Sequence, residues 1–238
     1  MNGVGVMGEK AELFLTTFNR IEKWLQDQLN NPSSMGFSEM TRRLAKRTDT
    51  LVDEYEEDLL QLAHLRNAIV HDRISPDFVI AEPNDWAVNK ILAIEAHLTS
   101  PERVTPRFAK PVTGFEENTA LTKILAITAS KSYSQFPIYR QGDFLGLITV
   151  QGLGFWLANQ NQKGSIELKG KVAKDILANE KRRENYAFVS ADTYSFQALR
   201  IFLNNPRIEA ILITKDGNSS GNLLGIIRPN DVYFLEKK

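Results

Sequence analysis

Apolar residues in the first hundred positions recur at alternating three- and four-residue steps, the period of helices with one buried face. Phe14, Phe18, Ile21, Leu25 and Leu29 mark such a face over residues 8–30, and Asn31-Pro32-Ser33-Ser34 breaks it. A shorter helix is predicted from Ser38, with Met40 and Leu44 inward. A third pattern begins near Asp49, with Thr50 and Asp53 as cap residues at its start and Val52, Tyr55, Leu59, Leu62 and Ile69 along its seam. Residues 74–80 read as extended. Asn84 or Asp85 then caps a fourth helix carrying Trp86, Ile91, Leu92 and Leu98. Residues 99–106, with two prolines and several polar side chains, read as a linker.

Beyond the linker the period changes. A helix over 121–129, with Asn118-Thr119 as its cap, is followed by a strand over 135–139, a Gln141-Gly142-Asp143 turn, a strand over 144–149 and a helix through Trp156. The same order recurs as a strand over 186–189, a helix over 195–203, strands over 210–214 and 223–227, and a last helix from Pro229. Leu145-Gly146-Leu147-Ile148-Thr149 aligns with Leu224-Gly225-Ile226-Ile227-Arg228, which marks an internal duplication of a βαββα unit. One such unit is too small to cover both faces of its sheet, so the two copies are expected to pack as a pseudo-twofold pair. The fold class that follows is α+β and multidomain: a helical bundle over residues 1–100, a first repeat over 101–170 and a second over 171–238.

Composition narrows the chemistry. The 238 residues are 42% hydrophobic and 24% charged, with 29 basic and 29 acidic side chains. That balance argues against a protein that coats nucleic acid through bulk charge, though a local basic site remains open. There is no cysteine, which excludes disulfides, thiolate metal sites and cysteine nucleophiles. Three scattered histidines offer no metal site; His64 and His97 read as surface residues. Trp24, Trp86 and Trp156 sit at helical spacing with other apolar residues and read as core or interface. The chain shows neither a membrane-spanning apolar run nor a leader of charged-then-apolar order, so the cytoplasm is the expected address. The basic run Arg42, Arg43, Lys46 and Arg47 reads as a solvated face, with a phosphate-tracking surface as the alternative.

On the third seam, the position four after Leu62 and three before Ile69 is Arg66. A guanidinium keeps its charge at any ordinary pH, so among apolar neighbours it calls for an acceptor, either a carboxylate or a phosphate. Asn67 and His71, four apart, share a helix face with each other. Arg66-Asn67 with His71 resembles the Arg-x-x-x-x-His motif of the HEPN (higher eukaryotes and prokaryotes nucleotide-binding) families. That resemblance implies a metal-independent endoribonuclease: His71 as general acid or base, Arg66 on the scissile phosphate, Asn67 orienting the phosphate or the histidine. It also implies a homodimer that brings two motifs together, RNA as substrate, and an antitoxin or other protein as partner. A five-residue step on a helix separates two side chains by about 140°, so Arg66 and His71 converge only at a helix end or in a distorted turn. The structural alternative pairs Arg66 with a carboxylate and uses His71 at the helix C-terminus.

The duplicated half resembles a tandem of CBS (cystathionine-β-synthase) domains over about residues 104–238. The residues that carry the likeness are Ser134-Gln135-Phe136-Pro137-Ile138-Tyr139 with Gly146-Leu147-Ile148-Thr149, and residues 208–214 with Gly225-Ile226-Ile227-Arg228-Pro229-Asn230-Asp231. Such modules bind adenosine nucleotides in clefts between the repeats and regulate an attached domain. In the family a Ser or Thr after the Gly-apolar-apolar strand meets phosphate, and an Asp three residues later accepts the ribose hydroxyls. This chain splits that pair. The first repeat has Thr149 but Gly152 in the Asp position; the second has Asp231 but Arg228 in the Thr position. The resemblance therefore implies one AMP, ADP or ATP site near Asp231. Arg228 would sit on phosphate, with Thr149 and Phe136 as motif residues and adenine among Tyr186, Ala187 and Ala210. No cofactor is required for this reading. The expected whole is a nucleotide-sensing regulator of a HEPN-like effector; the alternative is a non-catalytic dimerisation or partner-binding protein under nucleotide control.

Overall fold

Burial of the apolar faces gathers these patterns into separate cores, one in the helical half and others in the duplicated half. A computed structural model describes residues 8–30, 34–70, 73–75, 78–79, 81–162, 164–178 and 184–232. It forms two compact units, Met1–Glu102 and Arg103–Lys238.

The first unit contains α1 (Glu9–Gln28), α2 (Phe37–Leu44), α3 (Val52–Val70), the short antiparallel strands β1 (Arg73–Ser75) and β2 (Phe78–Val79), and α4 (Asp85–Thr99). Phe14, Phe18, Ile21 and Leu25 of α1 meet Met40 and Leu44 of α2, Leu59, Leu62 and Ile69 of α3, and Ile91 and Ile94 of α4 in one core. Burial of these faces supplies most of the stability of such short helices. Lys10 pairs with Asp85 at 2.8 Å and Arg20 with Glu95 at 2.5 Å. Equal ten-residue steps on both helices mean that α1 and α4 run parallel. Asn84 caps α4, its side-chain oxygen accepting from Ala87 N at 2.9 Å. Trp86, expected in core or interface, is 63% exposed, because it lies in the first turn of α4, off the stripe formed by Ala87, Ile91, Ile94 and Leu98. Trp24 packs against the core and Trp156 is buried in the second unit.

The second unit contains α5 (Val104–Arg107), β3 (Phe115–Glu116), α6 (Leu121–Lys131), β4 (Gln135–Arg140), β5 (Asp143–Thr149), α7 (Val150–Gln162), α8 (Ala173–Leu177), β6 (Tyr186–Ser190), α9 (Ser195–Asn204), β7 (Ala210–Thr214), β8 (Leu223–Ile227) and α10 (Pro229–Val232). Two three-stranded sheets result, ordered β3-β4-β5 and β6-β7-β8. In each the first pair is parallel and the second antiparallel. The registers match across the duplication: Phe115 lies beside Ile138 as Val189 lies beside Ile213. The short first strand β3 is absent from the sequence-based expectation, since two residues carry no readable alternation. The cap of α6 also differs: its N-cap is Ala120 without a side-chain bond, and Asn118 instead accepts from Lys174 Nζ at 3.0 Å.

Each repeat is completed by the segment that precedes the other. Val104 N donates to Thr193 O at 2.8 Å, and Ala173 N donates to Thr119 O at 2.9 Å, the equivalent position. Val104 and Phe108 lie in the core formed by Val189, Ala198, Ile208, Ile211, Ile213 and Ile227. Ala173 and Ile176 lie in the core formed by Phe115, Leu121, Ile124, Phe136 and Trp156. Residues 103–106, expected as linker, therefore belong to the folded unit: Val104 is buried and Arg103 pairs with Asp192 at 2.7 Å. Pro106 lies in a crossing segment held by Val104 and Phe108. Between the repeats, Leu147 of β5 packs with Ala210, Leu212 and Ile226, and Phe144 meets Tyr186 and Phe188 edge-on with ring centroids 4.8 and 5.0 Å apart.

The crossing segments explain the glycines of the duplicated motif. A Cβ on Gly225 would lie 2.2 Å from the carbonyl oxygen of Phe108, and one on Gly146 would lie 3.2 Å from Leu177. Backbone approach this close at Gly225 requires the absence of a side chain.

Candidate functional site

Among the described residues two clefts of the C-terminal unit stand out. The smaller, about 220 Å³, is lined by the segment Lys110, Pro111, Val112 and Thr113, by Tyr133, Ser134 and Gln135 at the start of β4, and by Ile226 and Arg228 at the end of β8. Strand ends of both repeats thus converge there. The larger, about 400 Å³, is lined by Gly146 and Leu147 of β5, Lys174 and Leu177 of α8, Asn185 and Tyr186, and Glu117 with Arg140 at its rim. Arg140 holds Glu117 through a bidentate pair of 2.7 and 2.8 Å, which keeps that carboxyl below the usual carboxylate range.

At the small cleft the Asp231 carboxylate is already engaged. Arg228 donates to it from Nε at 2.9 Å, from Nη2 at 2.7 Å and from its backbone N at 2.9 Å; Lys110 Nζ stands 3.8 Å away. Burial pushes the Asp231 pKa up, but the hydrogen bonds from Arg228 and the positive charges of Lys110 and Arg228 outweigh it and hold the group below its ordinary value of 3.8. A carboxyl with a depressed folded-state pKa stabilises the fold above its unfolded pKa and loses that contribution as pH falls through the lower, folded one. The stability difference between the native chain and Asp231→Asn, measured by urea unfolding between about pH 6 and about pH 2.5, is therefore expected to shrink toward the acid end.

The motif pair split between the repeats is also the two halves of a helix capping box. In the first repeat Thr149 Oγ1 accepts from Gly152 N at 3.1 Å, capping α7; in the second, Asp231 reaches back to Arg228 N. Each repeat retains one direction of the reciprocal cap. Thr149 is buried in that role and lines neither cleft.

The residues expected beside adenine, and the motif residue Phe136, do not gather at Asp231. Tyr186 lines the larger cleft, Ala187 packs on the core of the second repeat, Ala210 is fully buried in the seam between the repeats, and Phe136 is fully buried in the core of the first. The walls beside Arg228 come instead from residues 110–113 and 133–135. Tyr133, 40% exposed, is the aromatic side chain of that wall. The signal for Ser134 and Gln135 lay in the motif that opens β4. Lys110 sits in a crossing segment whose destination only the fold reveals.

In the helical unit, Arg66 stands over the face of Phe18, its guanidinium carbon 5.9 Å from the ring centroid, and donates to Asn67 Oδ1 at 3.3 Å. Phe18 in turn stacks on Phe37 with centroids 4.3 Å apart. An aromatic face is thus one partner of the cation on the apolar seam, beside the carboxylate and phosphate considered from sequence. His71, with Asn31, Pro32 and Ser33 of the expected break, lies outside the described residues. His97 is exposed, as expected, but not isolated, since its Nδ1 shares a hydrogen bond with Tyr55 Oη at 2.5 Å. In the basic run, Arg43 pairs with Glu39 at 2.7 Å, and Arg47 pairs with Asp49 and donates to Gln28 O at 2.8 Å, as on a solvated face. Among the described residues no group of three or more His, Asp or Glu side chains is placed to hold a metal, and no helix is long and apolar enough to cross a membrane.

No family model matches the chain, and no curated protein does. Several solved structures similar to it are described as CBS-domain proteins. A CBS domain-containing protein of unknown function from Kribbella flavida is 12% identical, with 55% of this chain and 94% of that one covered and a TM-score of 0.44. CBSX2 in complex with AMP is 19% identical, with 57% and 96% covered and a TM-score of 0.43. The CBS domain of a bacterial CNNM/CorC family Mg2+ transporter in complex with ATP is 19% identical, with 60% and 91% covered and a TM-score of 0.42.

Proposed function

We propose that the chain is a nucleotide-sensing regulator: its C-terminal unit is a tandem CBS pair that binds one adenine nucleotide in the Arg228 cleft, and that occupancy controls the helical unit. The observation that carries this reading is a cleft walled by both repeats and lined by Arg228 and Lys110, with Asp231 held directly behind Arg228. A ligand spanning that cleft touches both copies and favours one mutual arrangement of them. It biases the helical unit only as far as its affinities for two states of the protein differ. Titration of the full chain with AMP, ADP and ATP tests the reading; one bound nucleotide per chain is expected, and absence of binding by all three refutes it.

The helical unit, in this proposal, is the effector, a HEPN-like metal-independent endoribonuclease that works as a homodimer. Arg66 holds the scissile phosphate, Asn67 fixes the guanidinium through the bond seen between them, and His71 transfers the proton. Cleavage of RNA by the purified full chain, in the presence of a chelator, is expected to fall at least about 100-fold in Arg66→Ala and in His71→Ala, consistent with loss of an electrostatic or acid–base group. Equal cleavage by native and variant proteins removes the enzyme. A second reading, partner binding without catalysis, is favoured by the exposed Trp86 and by Leu13, 41% exposed, on α4 and α1. Under it, nucleotide changes partner affinity and leaves RNA intact.

A further inference from the structure

Among the described residues Asp231 accepts three hydrogen bonds, and all of them come from Arg228. Arg228 lines the cleft together with Lys110, while Asp231 does not. The first repeat carries the uncharged Thr149 at the equivalent position, and its hydroxyl oxygen accepts from Gly152 N. Resting on the nucleotide reading of this cleft, we propose that Arg228 is its specificity-determining residue: it acts as a latch that makes binding conditional on a phosphate. A nucleoside brings two neutral hydroxyls to Asp231. To reach the carboxylate it must displace a two-pronged, charge-assisted interaction and leave the guanidinium without an anion, so the exchange is unfavourable. A nucleotide brings its own anion. Arg228 swings from carboxylate to phosphate, Lys110 stays beside both, and the freed Asp231 oxygens take the ribose hydroxyls. Charge pairing is conserved through that exchange, and only for a phosphorylated ligand. The bare capping bond from Arg228 N to Asp231 is independent of the side chain, so the end of β8 keeps its geometry when the guanidinium is removed.

The test is calorimetry on the full chain with adenosine and with AMP, for the native protein, Arg228→Thr and Arg228→Gln, the last keeping side-chain length should threonine disturb folding. AMP is expected to bind the native protein at least about 30-fold more tightly than adenosine, the worth of one charge-assisted contact. In both variants the ratio is expected to fall to within about threefold, with the affinity for adenosine rising above the native value, as it does when a competing internal partner is deleted. A native-like ratio in folded Arg228→Gln, or adenosine matching AMP on the native protein, overturns the latch while leaving the cleft a nucleotide site. Failure of both ligands to bind any of the three proteins overturns the nucleotide reading, and the latch with it.

Discussion

Gly225→Ala is expected to lower the stability of the C-terminal unit by about 3 kcal/mol, at the upper end for overpacking at a site that cannot relax. The added methyl would lie 2.2 Å from Phe108 O and 3.0 Å from its carbonyl carbon, and both are backbone atoms. Neither yields by a rotamer change. Relief requires the crossing segment to lift, which pulls Val104 and Phe108 from the core of the second repeat and strains the bond from Lys110 N to Leu224 O. For a unit of this size the melting midpoint is expected to drop by roughly 10 °C. Gly154→Ala is the control. A Cβ there meets nothing within 4 Å on the exposed side of α7, so helix propensity alone acts and the protein gains up to about 1 kcal/mol. Equal effects of the two substitutions would contradict the exchanged packing.

Asp231→Ala is expected to weaken adenine nucleotide binding about 100-fold, close to 3 kcal/mol, the worth of two hydroxyl bonds to an ionised carboxylate. The effect differs in kind from loss of Arg228. Without the carboxylate the guanidinium is released toward the cleft, so phosphate is still attracted but ribose is no longer fixed. Lys174→Ala, in the larger cleft, is expected to leave the affinity within about twofold, because Lys174 serves Asn118 and lies among residues that do not line the Arg228 cleft. Calorimetry with AMP on the three proteins distinguishes the clefts. Unchanged affinity in Asp231→Ala would move the site elsewhere.

Much of this architecture was legible in the residues. The seam Val52, Leu59, Leu62 and Ile69 is buried because its spacing is helical, and the two Gly-apolar-apolar strands pair in matching registers because the copies are true duplicates. What stayed hidden is non-local. Nothing in the period of residues 103–109 says that they complete the second repeat rather than the first, since burial there is set by a partner strand more than a hundred residues away. For the same reason Ala210, expected beside adenine, and Phe136, expected as a motif residue of the site, are buried, while the cleft wall is made by Tyr133–Gln135 and the crossing segment. The spacing of Arg228 and Asp231 could have revealed their pairing, because residues three apart at a helix start are neighbours. Arg66 likewise has an aromatic companion, Phe18, that belongs to a different helix and leaves no trace in local sequence.

The most direct measurement is a crystal structure of the full chain grown with AMP. One nucleotide is predicted between the repeats, its phosphate on Arg228 and Lys110, its ribose on Asp231 and its base against residues 111–113 and 133–135. A nucleotide found in the cleft of Tyr186 and Asn185, with Arg228 still clasping Asp231, would contradict the account.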